Sequence, residues 1–261
     1  MELNKLGYSR QKARQILTLV IFFILLIGRL LFSSDQLLWH PSSYGSFYEF
    51  SYNFIAYVLV SMIIWVNRNN LELLNIDKPF ILLFIFSGII LSIFYLPPAV
   101  GFLNGLIVLL NFRLYRRDYF RFSKVKQNNI QVSAIVIIAL IPNLLFYVWQ
   151  LFAIGFHESE SIWLILFDAG FPVLVFEEVV FRGLLWMFLK KLKLNIVAII
   201  ILQGFLFWMA HLYYFSEPFT FWLWLPWTSM WLGIIVWRSK SITQSTLTHF
   251  AINLLDVLMV R

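Results

Sequence analysis

Long, nearly uninterrupted apolar runs fill most of the 261-residue chain and constrain its fold more than any other feature. A helix rises about 1.5 Å per residue, so it needs roughly 20 residues to cross a hydrocarbon core of about 30 Å. Hydrophobic residues make up 61% of the chain and charged residues 13%, against about 45–50% and about 25% in soluble proteins. The sequence therefore predicts an all-α, polytopic membrane helical bundle and excludes a soluble domain.

Apolar length alone gives the candidate membrane spans. They cover residues 16–32, 47–66, 79–96, 99–112, 130–156, 162–189, 195–215, 219–237 and 242–260. The fourth run is short and follows Pro97-Pro98, so it and the third run form either two crossings or one re-entrant pair. Gly101 and Gly105 form a GxxxG motif in it, which predicts close helix packing. We expect eight or nine transmembrane helices.

Gaps that contain lysine or arginine alternate along the chain with gaps that contain neither. The stretches before residue 16 and at 67–78, 113–129, 190–194 and 238–241 contain basic residues, whereas the intervening gaps contain none. Such alternation is typical of topology signals and places the N-terminus in the cytoplasm of a multi-pass cell-membrane protein. We therefore attribute the net charge of +7 to orientation in the lipid bilayer and expect no nucleic-acid partner.

Three charged residues lie in the middle of the sixth span: Glu177, Glu178 and Arg182. Exposure to lipid would cost roughly 2.5–3.5 kcal/mol for each, so they face protein or a water-filled cavity. Glu178 and Arg182 are spaced i, i+4 in the order that favours a salt bridge. Glu177 has no basic partner on its own helix, which suits a general base. The alternative is that both acids are structural partners of Arg182.

Two further polar groups follow along the chain. Phe207 and His211 are spaced i, i+4 on the seventh span, where the alternative is a hydrogen-bonded core histidine beside a packing phenylalanine. His249, Asn253 and Asp256 recur at i, i+4 and i+7 on the last span and so share one face. Histidine and asparagine donate hydrogen bonds suited to an anionic oxygen.

These helices combine into one candidate hydrolytic site. Glu177 and His211 would hold and deprotonate a water, and His249 with Asn253 would stabilise the oxyanion formed when that water attacks a carbonyl. The reaction would be peptide or ester hydrolysis without a covalent intermediate. Linear counting opposes this grouping, because it places His211 nearer the opposite membrane face than Glu177 and His249.

Three motifs in order carry a family resemblance: E-E-x-x-x-R at 177–182, F-x-x-x-H at 207–211 and H-x-x-x-N at 249–253. Together they resemble the signature of the CPBP (Abi) family of CAAX proteases and bacteriocin-processing enzymes, which are intramembrane endopeptidases. The resemblance covers residues 162–260. We accordingly predict N-terminal transmembrane helices without a recognised motif at 1–129 and a catalytic core at 130–261.

The resemblance implies that Glu177 and His211 activate water and that His249 and Asn253 line an oxyanion hole. The predicted supporting residues are Glu178, Arg182, Phe207 and Asp256, the last on helical spacing alone. Family members have been described both as metalloproteases and as glutamate-dependent proteases. This chain has no H-E-x-x-H, so we expect no metal; a Zn²⁺ site would require Glu177, His211 and His249.

The sequence leaves the substrate open. A membrane-associated peptide or protein fits, either a prenylated CAAX protein or a bacterial peptide precursor. The aromatic residues of the eighth span are typical of an interfacial belt, with a lipid-binding groove as the alternative. The competing functions are a non-catalytic bacteriocin-immunity or scaffold protein of the same fold and a proton-coupled carrier.

Overall fold

The structure is a computed structural model that describes residues 2–39, 47–94, 98–116, 120, 129–153 and 176–260. In these residues the backbone forms helices and no strand, which confirms the all-α prediction. The α-helices are α1 (Glu2–Trp39), α2 (Phe47–Asn67), α3 (Lys78–Phe94), α4 (Pro98–Arg116), α5 (Asn129–Ala153), α6 (Trp186–Lys191), α7 (Ile196–Met209), α8 (Leu225–Ser239) and α9 (Ile242–Val260). Between them lie two 3₁₀-helices (Leu71–Leu74 and Leu212–Tyr214) and two π-helices (Val179–Leu185 and Thr220–Trp224).

Within the described ranges, two helices are long and apolar enough, by length and composition, to cross a membrane. These segments are Gln11–Arg29 within α1 and Pro98–Arg116, which is α4. The expectation that the fourth span is short was wrong, because α4 continues for 19 residues to a basic last turn, a favourable end for a helix dipole. The total of eight or nine crossings, and the re-entrant alternative, stay predictions. The N-terminal part of the sixth candidate span lies outside the described residues.

The seventh candidate span ends earlier than expected. The side chain of Asn195 caps the start of α7 by accepting a hydrogen bond from the backbone N–H three residues later, at 2.8 Å. The helix ends at Met209, and His211, with φ −116° and ψ 32°, is the N-cap residue immediately before the second 3₁₀-helix. Apolar composition continues to residue 215, but the amide of His211 bonds to the carbonyl of Trp208, which closes a turn. The length of an apolar run therefore does not show where the helical hydrogen bonds end.

Three of the basic gaps meet at one end of the bundle. Partial burial, together with the nearby cations Lys190 and Arg238, lowers the pKa of Lys240. The gap at 67–78 reaches the same end, since the carbonyl of Asn75 accepts a hydrogen bond from the amide of Ile242 at 2.8 Å. The three gaps are thus neighbours in space, as their alternation requires. The side of the membrane on which they lie stays a prediction.

Residues 71–77, which we call the 71–77 clamp, connect the N-terminal helices to the motif-bearing half. Asn75 has a left-handed backbone (φ 53°), and its side chain donates to the carbonyl of Arg182 in the first π-helix at 3.1 Å. Asp77 accepts a hydrogen bond from Ser241 Oγ at 2.5 Å, immediately before α9. The clamp therefore sets the first π-helix and the start of α9 relative to each other.

Candidate active site

The predicted Glu178–Arg182 ion pair is present and fully buried. Arg182 Nη1 lies 3.2 Å from Glu178 Oε1, and both side chains have 0% exposure. Glu177 and Glu178 lie in the turn that leads into the first π-helix. Arg182 also lies over the ring of Phe207, with its Cζ 4.2 Å from the ring centroid. Such a desolvated cation–π contact stabilises the guanidinium.

Glu178 also holds His249 in place. His249 Nδ1 lies 2.8 Å from Glu178 Oε1, and Ser245 Oγ donates to Glu178 Oε2. A carboxylate only accepts, so Nδ1 carries the proton and donates it to Glu178. Nε2 of His249 is then directed toward Glu177. Ser245 was missed in the sequence, although it stands one helical turn before His249 on the same face.

Glu177 lies between the two histidines. Counting residues along each candidate span places His211 nearer the opposite membrane face and so does not predict this convergence. Its Oε1 is 3.9 Å from His211 Nε2, and its Oε2 is 3.7 Å from His249 Nε2. All three side chains are buried, with at most 6% exposure. The grouping is possible because α7 stops at Met209, so that His211 lies in a turn after the helix.

Glu177, predicted to have no basic partner on its own helix, has one on another helix. Nη2 of Arg29, on α1, lies 3.0 Å from Glu177 Oε1 and 3.2 Å from His211 Nε2. The sequence contained the signal, because Arg29 is an arginine within the apolar run 16–32. A charge in such a run marks a buried partner. Its partner, Glu177, is 148 positions away in the sequence, so helical spacing could not predict which residue pairs with Arg29.

The surroundings of His211 determine which of its nitrogens carries the proton. Nδ1 lies 2.8 Å from the backbone carbonyl of Phe207, which only accepts. Nε2 faces Arg29, which only donates. Both contacts are satisfied by the neutral ring with the proton on Nδ1 and a lone pair on Nε2. The i, i+4 spacing of Phe207 and His211 thus orients the imidazole through the backbone.

Phe207 packs against several of the buried groups. Its ring centroid lies 4.4 Å from that of His211, 5.4 Å from that of His249 and 5.2 Å from that of Phe181. The side chain is 1% exposed. A single aromatic ring therefore touches both histidines and Arg182, which agrees with a supporting position in the site.

The remaining predicted residues lie on α9. Asn253 follows His249 by one helical turn and is half-buried. Asp256 is also on α9, but its side chain lies outside the described residues. The structure places His249 of this helix next to Glu177, and the predicted contributions of Asn253 and Asp256 stay predictions.

The charges of the described site balance. Glu177 and Glu178 carry two negative charges, and Arg29 and Arg182 carry two positive ones. Their side chains have at most 8% exposure. Burying an ion costs several kcal/mol even after relaxation, so an unpaired member would be strongly destabilising. The sequence motif alone has one uncompensated acid, and α1 supplies the missing cation.

In this arrangement the residues suggested for Zn²⁺ share their site with an arginine. Within the described part of the chain, no group of three or more His, Cys, Asp and Glu side chains is placed to hold an ion. Arg29 Nη2 lies on two of the three suggested ligands, Glu177 and His211. A fixed positive charge at that position opposes a second cation.

Residues 158–255 match the family model described as type II CAAX prenyl endopeptidase, Rce1-like. The match covers somewhat more than a third of the chain and includes all three motifs, which confirms the resemblance they indicated. That family consists of membrane-embedded peptidases, which supports a membrane location and a protease in general. No curated protein and no solved structure compared with the chain matches it.

Proposed function

We propose that this protein is an intramembrane endopeptidase that hydrolyses a peptide bond with water activated by Glu177 and His211. The proposal depends most on one observation, that both oxygens of Glu177 lie within 4 Å of a histidine Nε2 in a buried site. A carboxylate beside imidazoles is the arrangement that general acid–base catalysis requires. The match of residues 158–255 to an endopeptidase family supports the same reaction class.

The reaction begins when a water enters between Glu177 and His211, replaces the contact of Arg29 with His211 and gives a proton to the carboxylate. The water oxygen attacks the scissile carbonyl carbon, and the carbonyl oxygen becomes an oxyanion. Asn253 and Nε2 of His249 donate hydrogen bonds to it. Because Nδ1–H of His249 is used by Glu178, Nε2 donates only after the ring has taken up a second proton from the aqueous phase, and the ring keeps that proton through the reaction. Glu177 then passes its proton to the leaving amine as the C–N bond breaks.

The proposed reaction needs no metal, and the position of Arg29 beside Glu177 and His211 supports this choice. We expect the purified protein to keep its cleavage rate after dialysis against a strong chelator. Metal analysis of the dialysed sample checks that the ion was removed. Loss of activity that returns with added Zn²⁺ would refute the metal-free mechanism.

The proposed substrate is a membrane-associated peptide or protein. The description of the matched family supports a prenylated CAAX protein as the substrate. A peptide precursor without a lipid is the alternative, since it could also enter the site from the bilayer. A quenched fluorescent CAAX peptide, with and without the prenyl group, separates the two. If only the prenylated peptide is cleaved, the enzyme recognises the prenyl group of its substrate.

The decisive experiment compares wild type with Glu177→Ala and His211→Ala in membranes and in purified form. Removing a general base typically costs about 10²–10⁴-fold in rate, so we expect cleavage to fall at least that far. The uncleaved substrates should accumulate in the membrane proteome of the Glu177→Ala strain. Glu217→Ala, at an exposed acid after the second 3₁₀-helix, is the matched control and should behave as wild type.

Full activity in both variants would reject the mechanism. A folded, membrane-inserted Glu177→Ala protein that still protects cells from a toxic peptide would favour the immunity or scaffold function instead. Because Glu177→Ala leaves the buried Arg29 without its carboxylate, we expect this variant to be less stable than wild type, so cleavage and protection are compared per amount of folded, membrane-inserted protein.

A further inference from the structure

Arg29 stands out because it belongs to the first helix, outside residues 158–255, yet lies inside the site. Its side chain is 8% exposed, and α1 packs against the first π-helix and the second 3₁₀-helix. The guanidinium lies between the rings of Phe176 and Tyr213, at 5.7 and 5.6 Å from their centroids. Two aromatic faces and a buried carboxylate therefore hold this cation in one orientation.

The contacts of Arg29 involve the atoms that the proposed reaction uses. One nitrogen, Nη2, donates to Glu177 Oε1 at 3.0 Å and to His211 Nε2 at 3.2 Å. The first contact offsets the charge of the proposed base and fixes the direction of its carboxylate. The second keeps the lone pair of His211 directed to the same point. Arg182, the arginine of the motif, pairs with Glu178. The cation that pairs with Glu177 therefore comes from outside the motif.

We propose that Arg29 is a positioning residue of the active site, contributed by α1, which orients Glu177 and His211 for activation of the water. This inference rests on the proposed function. Arginine suits the position because its planar guanidinium offers several donors in fixed directions. The N-terminal helices then supply part of the active site in addition to a membrane anchor.

The test replaces Arg29 by residues that separate its charge from its hydrogen bonds. Arg29→Gln keeps donors without the charge, and Arg29→Lys keeps the charge without the planar fork. Misplacing catalytic groups by about 1 Å can cost roughly 10²-fold, so we expect Arg29→Gln to lower kcat by about that factor. Its KM should stay within about threefold, because no substrate contact is lost. Arg29→Lys should recover to within about tenfold of the wild-type kcat.

The controls separate positioning from folding. Arg14→Met removes an exposed arginine from the same helix and should leave kcat and KM unchanged. Rates are measured on a quenched peptide that spans the cleavage site of the protein accumulating in the Glu177→Ala strain, and are normalised to folded protein. Should Arg29→Gln not fold, Arg29→Lys alone still tests the inference, since a merely structural residue would leave its kcat equal to wild type.

Two results would overturn the inference. One is a kcat for Arg29→Gln within threefold of wild type, and the other is an Arg29→Lys variant no better than Arg29→Gln. Failure of the proposed function is distinguishable, because there Glu177→Ala itself would cleave the peptide. When Glu177→Ala is inactive and Arg29→Gln is fully active, only the assignment of Arg29 fails.

Discussion

Replacing Arg182 by methionine removes the positive charge from a pair whose two side chains have no exposure to solvent or lipid. The apolar stem of the side chain is retained, so the change isolates the guanidinium. Its loss leaves Glu178 with Ser245 and His249 as hydrogen-bond donors but without a neighbouring arginine. The carboxylate keeps its buried position and loses the charge that lies 3.2 Å away.

The expected cost follows from this geometry. Breaking a buried ion pair by removing one partner typically costs about 3–5 kcal/mol, mainly because the other charge remains buried. The contact of Arg182 with the ring of Phe207 adds to this, since a desolvated cation–π contact is worth about 2 kcal/mol. We therefore expect Arg182→Met to lower the free energy of unfolding by at least about 3 kcal/mol.

A double-mutant cycle tests the pair itself. Glu178→Gln should also destabilise the protein, but the double variant should cost about 2 kcal/mol less than the sum of the single changes, because no charge is then left alone. The assay is reversible unfolding in mixed micelles, followed by circular dichroism as the fraction of SDS rises. Arg238→Met, an exposed arginine at the end of α8, should change stability by less than about 0.5 kcal/mol. Additive single costs would refute the reasoning.

Two further predictions concern the helices that support the site. Gly88→Ala should destabilise the protein by about 1–3 kcal/mol, because a Cβ there would overlap Tyr57. Gly105→Ala, where a Cβ meets open space, should be neutral or stabilising. Equal effects of the two variants in the same SDS titration would contradict this prediction. Asp77→Ala should lower stability by about 1.5–3 kcal/mol and reduce kcat by loosening the start of α9. The exposed Glu72→Ala is its control, and equal behaviour of the two would refute the clamp.

The GxxxG motif shows where local pattern reading fails. Gly101 and Gly105 predict close helix packing; Gly101 is buried, yet a Cβ at Gly105 would meet nothing within 4 Å. The close approach in this region is at Gly88 on α3, where Asn104 of α4 donates to the glycine carbonyl at 2.8 Å. Spacing identifies which residues share a face, and the neighbouring helix decides which glycine it needs.

Features set by neighbours along the chain could be predicted from the sequence. Apolar length indicates helices, and spacing of i, i+4 indicates the Glu178–Arg182 pair and the shared face of His249 and Asn253, because helical geometry alone brings such residues together. The three motifs, in order, indicate the peptidase resemblance. These properties require only the local backbone, so the linear order of residues is sufficient for them.

The tertiary structure decided what the other charges do. It brings Arg29 of α1 to Glu177 and places His211 in a turn within 4 Å of the same carboxylate. These contacts join residues far apart in the chain, and no helical period relates them. Buried charges must be balanced across the whole packed bundle, so the partner of Glu177 is determined by how the helices pack.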